Sequence, residues 1–313
     1  MKSVLTCAAF AFGVVLSLSA MPAAAQTPSA SFDVGSIHVD KYGSGEPALI
    51  LIPGLTDSAA VWGNTIAHFA PTHTIYAVTL GGFGGRSAPS APLVDKADAD
   101  ITALITQQNI NRPVVIGHSM GGHLALRLAA EHSNLLRGVI SVDGTPVFPG
   151  YENQTAAQRS AAAAQMATPM RSLTPQQFQQ GERQMILPYL TQARNLDAVA
   201  AAGRGADPAA SAEYLTELLT ADIRPQLSTI TVPVLELMPF DASLDPQNPT
   251  TPFKSAAQKQ QYYVGLLANA KTAKVSVVNN SRHFIMYDQP EQFYALVQNF
   301  LGNLSLAGSQ LSA

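Results

Sequence analysis

Cysteine is almost missing from the sequence: Cys7 is the only one in 313 residues. This rules out a disulfide framework, a thiolate-based metal site and, if the first residues are removed, a cysteine nucleophile. Charge is also sparse. Charged residues make up 12% of the chain, with 18 Lys and Arg set against 21 Asp and Glu. No basic cluster stands out, which argues against nucleic acid or an anionic membrane surface as a partner. There is no internal repeat, dinucleotide fingerprint or metal-ligand cluster in the sequence. The glycine-rich "GGFGGRSAP" of residues 81–89 lacks the Gly-Lys-Ser/Thr of a phosphate cradle and precedes no immediate helix. The sequence therefore calls for no cofactor and no metal.

Long apolar runs are absent too, apart from one at the N-terminus. Lys2 supplies a positive start, Val4 to Leu18 is apolar but short for a bilayer span, and Ala23-Ala24-Ala25 precedes Gln26. This pattern predicts a signal peptide over residues 1–25, cut after Ala25, and export to a periplasm or beyond. Cleavage would remove Cys7, and losing Lys2 would take the formal charge from −3 to −4. An exported domain without disulfides must rest on its core, and about 290 residues suffice for a large one.

The remainder alternates. "PALILIPGL", "THTIYAVTL", "PVVIG", "LRGVISVD", "VPVLELMPF" and "KVSVVNN" read as strands, with a shorter one over Val39 to Gly45. Between them lie helical stretches: one after Asp57 or Ser58 as N-cap, others over Asp95 to Asn109 and Met120 to His132, and a closing one from Pro290. Near-continuous apolar strands alternating with helices predict an α/β fold, a mostly parallel, doubly wound sheet covered on both faces. From 145 to 228 no strand is evident, only Ala-, Gln- and Met-rich helical sequence. The predicted organisation is thus a core over 26–144 and 229–313 with an all-helical insertion over 145–228. Met166, Met170 and Met185 read as core filler in that insertion or, alternatively, as a flexible apolar lining over a pocket, and the tail after Leu304 as frayed.

"VVIGHSMGGHLAL" marks the chemistry. Gly117-His118-Ser119-Met120-Gly121 fits G-x-S-x-G, with an apolar strand before it and a helix-forming run after. In that context the serine sits on a sharp strand-to-helix turn at the carboxyl ends of the strands, where open α/β sheets form their pockets. Together with "LILIPGLTDSAAVW", "TLGGFGGRSAP", "TVPVLELMPF" and "SRHFIMYDQPEQF", in this order, the chain resembles the α/β-hydrolase family through nearly all of residues 26–313.

The resemblance implies a serine hydrolase, esterase- or lipase-like, with Ser119 as nucleophile. Serine needs a base, and His283, in the loop between the last strand and the last helix, holds the position the family gives it. His38, His68, His73 and His132 read as surface or packing residues. His118 and His123 read as helix-start packing or pocket rim. The base needs a carboxylate, and here the chain departs from the family's usual turn. "LMPFDASLDPQ" has no glycine, with Asp241 early and Asp245 late. Asp143, at the end of the preceding strand, is the preferred acid, and Asp241 is the alternative. The backbone N–H groups of Leu55 and Met120 are the expected oxyanion donors, and Trp62 reads as packing. The predicted substrate is small or medium, apolar or uncharged and ester-like, with the insertion acting as a lid. Two alternatives stay open. One is the same fold performing C–C bond hydrolysis, lactone opening or perhydrolysis. The other is a non-catalytic protein that captures a small ligand. Serine at position 119 argues against the branches that use aspartate there.

Overall fold

The computed structural model describes residues 26–310, so the predicted signal peptide lies outside the described residues. Eight strands form one sheet: β1 (Ala30–Val34), β2 (Ile37–Tyr42), β3 (Leu49–Ile52), β4 (Ile75–Thr79), β5 (Val114–His118), β6 (Gly138–Val142), β7 (Val234–Phe240) and β8 (Ala273–Asn279). Their spatial order is β1-β2-β4-β3-β5-β6-β7-β8. β2 pairs antiparallel with both β1 and β4, and every pairing from β4 across to β8 is parallel.

The strands read as continuous apolar runs because helices cover both faces. Every residue of β3 through β7 is buried. Alternate side chains then divide between two cores. Ile50, Ile52, Val115 and Val139 pack with Leu104 of α2 (Leu93–Gln107) and Leu124 and Leu128 of α3 (Met120–His132), following α1 (Gly63–Phe69). Leu49, Leu51, Ile116 and Ile140 pack on the other face with Phe69 of α1 and with Phe293 and Val297 of the last helix. Each such Leu or Ile contributes about 1.5–3 kcal/mol of transfer free energy. β1 was not foreseen. It is a mostly exposed edge strand carrying Ser31 and Asp33, so it lacks the apolar signature that marked the others.

Between β6 and β7 lie four helices, α4 (Ala156–Arg171), α5 (Pro175–Ile186), α6 (Leu196–Ala202) and α7 (Pro208–Thr220). Their starts are written locally. Thr155 with Gln158 and Thr174 with Gln177 form reciprocal capping boxes, and Asp207 caps α7 ahead of Pro208. The methionine expectation is corrected here. α4 buries only Ala163 and Ala167, a small-residue contact face that leaves Met166 45% exposed, and α5 buries Phe178, Glu182 and Ile186, which leaves Met185 49% exposed on its other side. Only Met170 packs against the core.

After β7 come α8 (Ala256–Leu266), α9 (Ile285–Asp288) and α10 (Pro290–Gln310). α10 continues past Leu304, where a frayed tail was expected. The capping expectation also changes. Ser58 stands at a helix start but makes no cap bond; its hydroxyl donates instead to the Ala202 carbonyl at 2.8 Å, while Asp57 is buried. Among the described residues no helix is long and apolar enough to cross a membrane.

Candidate active site

β5 ends at His118, and α3 begins at Met120. Ser119 makes the whole turn between them, at φ 55° and ψ −117°. A non-glycine residue in that region is strained and persists only where its surroundings enforce it. The neighbouring glycines supply the enforcement. A Cβ on Gly117 would stand 1.9 Å from the Gly121 carbonyl oxygen, and one on Gly121 would stand 2.4 Å from that of Ile52. The strand, the turn and the loop after β3 thus touch backbone to backbone. Gly54 belongs to the same arrangement, since its Cβ would lie 3.0 Å from His118 Nδ1 and 3.3 Å from Ser119 Cβ. The loop carrying Leu55 therefore runs alongside Ser119. Met120 is the first residue of α3, where helical N–H groups have no intrahelical acceptor.

β6 delivers Asp143 just beyond its last residue. The backbone there turns left-handed at φ 51°, a conformation that aspartate tolerates better than most, and its N–H donates to the Leu237 carbonyl at 2.9 Å. Its carboxylate is occupied on both oxygens. Oδ2 lies 2.5 Å from His283 Nδ1, and Oδ1 accepts from the Tyr263 hydroxyl at 2.6 Å. Burial alone would raise this carboxyl. The hydrogen bond and charge of His283, then Lys259 and Tyr263, outweigh burial and hold it at about 2. With Asp143 ionised and acceptor-only, His283 Nδ1 carries the proton of that contact, which leaves Nε2 as the nitrogen able to take another.

Asp241, the alternative acid, is used elsewhere. One oxygen accepts from Arg282 Nε at 2.6 Å, and the other from the Ser243 N–H and hydroxyl at 2.8 and 2.6 Å. Burial raises its carboxyl too, but Ser243 and Arg282 bring it below the usual range. Arg282 reaches the Leu190 carbonyl at 3.0 Å as well, and Asp288 joins the Arg282 N–H to that of Thr191 at 2.8 and 2.9 Å. The segment after α5 is thereby fastened to the loop that holds His283, and the Tyr189 ring comes to 5.5 Å from the His283 ring. Asp245, the later residue of that turn, pairs with Lys259 at 2.8 Å.

The other histidines sort by partner. His118 is buried, with its Nε2 3.0 Å from the His283 carbonyl oxygen, and His123 Nδ1 meets the Thr145 carbonyl at 2.8 Å. His38 faces Asp33, and His68 stacks on Tyr294 with ring centres 4.0 Å apart. Trp62 is fully buried against Phe293, as expected of packing. Asp98, Glu131 and His132 bring ligand atoms within 4.8 Å of one another at the far end of α3 from Ser119. Arg127 already holds Glu131 there at 2.9 Å.

Sequence reasoning missed two contributors. Tyr263 lies 120 positions from the aspartate it bonds, and Arg282 acts by where it reaches, not by any motif. Only the position of Arg282 directly before His283 hinted at a role.

Comparison with known proteins points the same way. The sequence model described as the Alpha/beta hydrolase family matches residues 49–296. The pimeloyl-[acyl-carrier protein] methyl ester esterase of Yersinia enterocolitica is 25% identical over 267 residues, covering 82% of this chain and 94% of that one. Lipase LipV of Mycobacterium tuberculosis is 34% identical over 116 residues, which span 36% of this chain and only 44% of LipV. Among solved structures, the enol-lactonase of Burkholderia xenovorans superposes with a TM-score of 0.67 at 20% identity, over 87% of this chain and all of that one. A thermophilic esterase from Thermogutta terrifontis gives 0.71 at 17% identity, over 88% of this chain and 99% of that one. At these identities the superpositions establish the fold.

Proposed function

The chain belongs to the alpha/beta hydrolase family, and from that premise we propose that it is a serine hydrolase cleaving an ester-like bond through an acyl-enzyme on Ser119. The observation that carries this reading is the 2.5 Å contact between His283 Nδ1 and an ionised Asp143 beside a strained Ser119 turn. A merely structural histidine in a half-buried loop has no need of a largely buried carboxylate held charged.

The chemistry follows from the groups in place. His283 Nε2 takes the proton from Ser119 Oγ as that oxygen bonds to the substrate carbonyl carbon, and the carbonyl π pair moves onto its oxygen. The N–H groups of Met120 and Leu55 stabilise the developing oxyanion. Asp143 stabilises the imidazolium and fixes its orientation without taking the proton. As the carbonyl re-forms, the bond to the leaving alcohol breaks, and the alcohol leaves with the proton from Nε2. Water then repeats both steps and frees the acid. Asp143 is the acid in this scheme, while Asp241 holds Arg282. A non-catalytic binding role would leave the His283–Asp143 pair without a task. Tyr189, exposed and against the His283 ring, and the exposed apolar Met185 and Leu187 just before it in sequence suit an uncharged acyl group, with the helices of 145–228 as lid.

Turnover of p-nitrophenyl esters across acyl lengths, by the protein and by Ser119→Ala, tests the reading. Activity that disappears in the variant, with fluorophosphonate labelling at Ser119, supports it. No turnover and no labelling would leave a binding protein. We also propose that residues 1–25 direct export, which N-terminal sequencing of the secreted or periplasmic protein checks: a start other than Gln26 contradicts the predicted cut.

A further inference from the structure

His118 adjoins Ser119, yet its side chain takes no part in the steps above. It is 1% exposed, and its ring stands 4.6 Å from that of His283 and 4.8 Å from that of Phe284, with Trp62 edge-on at 6.4 Å. Its Nε2 lies 3.0 Å from the backbone carbonyl oxygen of His283, across 165 positions of sequence. A carbonyl oxygen only accepts, so Nε2 carries a proton. Burial, then the nearby His283, depresses this imidazole to about 3, so it stays neutral wherever the enzyme works, and Nε2–H is its only donor. The polar groups facing the His283 ring are therefore Asp143 at the end of β6, the neutral His118 at the end of β5 and Tyr189 after α5, with the Phe284 ring edge-on at 5.6 Å.

We propose that His118 is a positioning residue for the base, setting the distance between Ser119 and His283 by holding the His283 backbone through its Nε2–H. Nucleophile and base lie 164 positions apart in the chain. Asp143 orients the His283 ring but is bonded only to its side chain. The backbone of that loop is held by Asp288 at Arg282, by Ser281 donating to the Phe240 carbonyl, by Phe284 donating to the Tyr189 carbonyl, and by His118 at His283 itself. Of these, only His118 is covalently next to Ser119. One peptide bond, one rigid ring and one hydrogen bond then fix the gap over which the proton must move. Gly54 fits the same purpose, because a Cβ there would crowd both His118 Nδ1 and Ser119.

This inference rests on the serine-hydrolase reading, and three variants separate the two. His118→Gln keeps an N–H donor at the reach of Nε2, His118→Asn keeps a donor too short to reach, and His118→Phe keeps a ring with no donor. A misplacement of about 1 Å costs roughly 100-fold in rate. The Asn and Phe variants are thus expected to lose about 10- to 100-fold in kcat on a small ester, with KM within about 3-fold. Fluorophosphonate labelling of Ser119 should slow in parallel, and His118→Gln should recover most of the rate. Melting temperatures measured alongside decide the alternative of simple packing: if the three rates follow stability instead of donor reach, the proposal is overturned. It is likewise overturned if Asn and Phe match the unmodified protein, or if Gln fares no better than they do. Turnover that survives Ser119→Ala would instead break the hydrolase reading and leave His118 with no base to position.

Discussion

The strand ends around Ser119 and the helices between β6 and β7 are built on opposite terms. At the strand ends, backbone meets backbone. Gly117 against Gly121, Gly121 against Ile52, and Gly122 against Gly144 leave no room for a single added carbon. In α4 only two alanines are fully buried, and large apolar side chains such as Met166 face outward. The first region has one way to be assembled, and the second has many. The difference separates reactivity, which needs atoms held to fractions of an ångström, from choice of substrate, which can be altered by exchanging side chains that nothing else depends on.

The largest effect expected from this contrast falls on the acids. Asp143→Asn preserves shape but removes the charge that orients His283, and should lower kcat by about 10⁴. Asp241→Asn only loosens Arg282, and should cost less than about tenfold. Kinetics on one small ester measure both, and the reverse order would exchange the two roles. Next in size is Gly121→Ala, whose added carbon meets the Ile52 and Pro53 carbonyl oxygens at 2.4 and 2.5 Å. Overpacking of this kind costs about 1–3 kcal/mol, or more where rigid backbone cannot yield, and denaturant unfolding reads it. A stable Gly121→Ala protein with full activity would mean that the strand ends are looser than their spacing implies.

A third effect is set by pH. Asp143 titrates at about 2 in the folded chain, below its ordinary value near 3.9. The folded state therefore holds this proton less readily than the unfolded chain. Its stabilisation is fully present above pH 4 and is lost as pH falls through about 2. The difference amounts to about 2.5 kcal/mol. Unfolding measured between pH 5 and 2 should show a shallower loss of stability for Asp143→Asn than for the unmodified protein. Parallel curves would mean that the ion pair with His283 adds nothing to the fold.

The same contrast decides what could be read in advance. The buried strands, the turn at Ser119 and the loop of His283 were legible, because two-sided burial and a strand-to-helix junction leave local marks in sequence. The choice between Asp143 and Asp241 was not. Both follow a buried strand, and they are told apart by Tyr263 and Arg282, which reach them from distant elements. β1 was missed because an exposed edge strand has little apolar pattern, although Gly35, at φ 57°, stands in the turn that joins it to β2. Met166 was misplaced for a related reason: Ala-rich α4 has apolar residues on every side and does not show which face is buried, whereas on α5 the buried face is the one marked by Phe178 and Ile186, and Met185 lies off it.

The smallest effects belong to the insertion. Met185 and Tyr189 are 49% and 51% exposed, so replacing either with alanine removes little buried surface and should change stability by under about 0.5 kcal/mol. If this rim receives the acyl group, each loss removes apolar contact from a long chain and none from an acetyl group. One methylene's worth of contact is about 0.8 kcal/mol, close to fourfold in kcat/KM. Met185→Ala and Tyr189→Ala should therefore lower the octanoate-to-acetate ratio of kcat/KM several-fold and leave the acetate rate nearly unchanged. Tyr189 is the more demanding case, because its ring also lies against His283. If Tyr189→Ala depresses acetate and octanoate equally while Met185→Ala shifts only octanoate, Tyr189 belongs with the rigid strand ends, and the boundary between the two regions lies after Leu187.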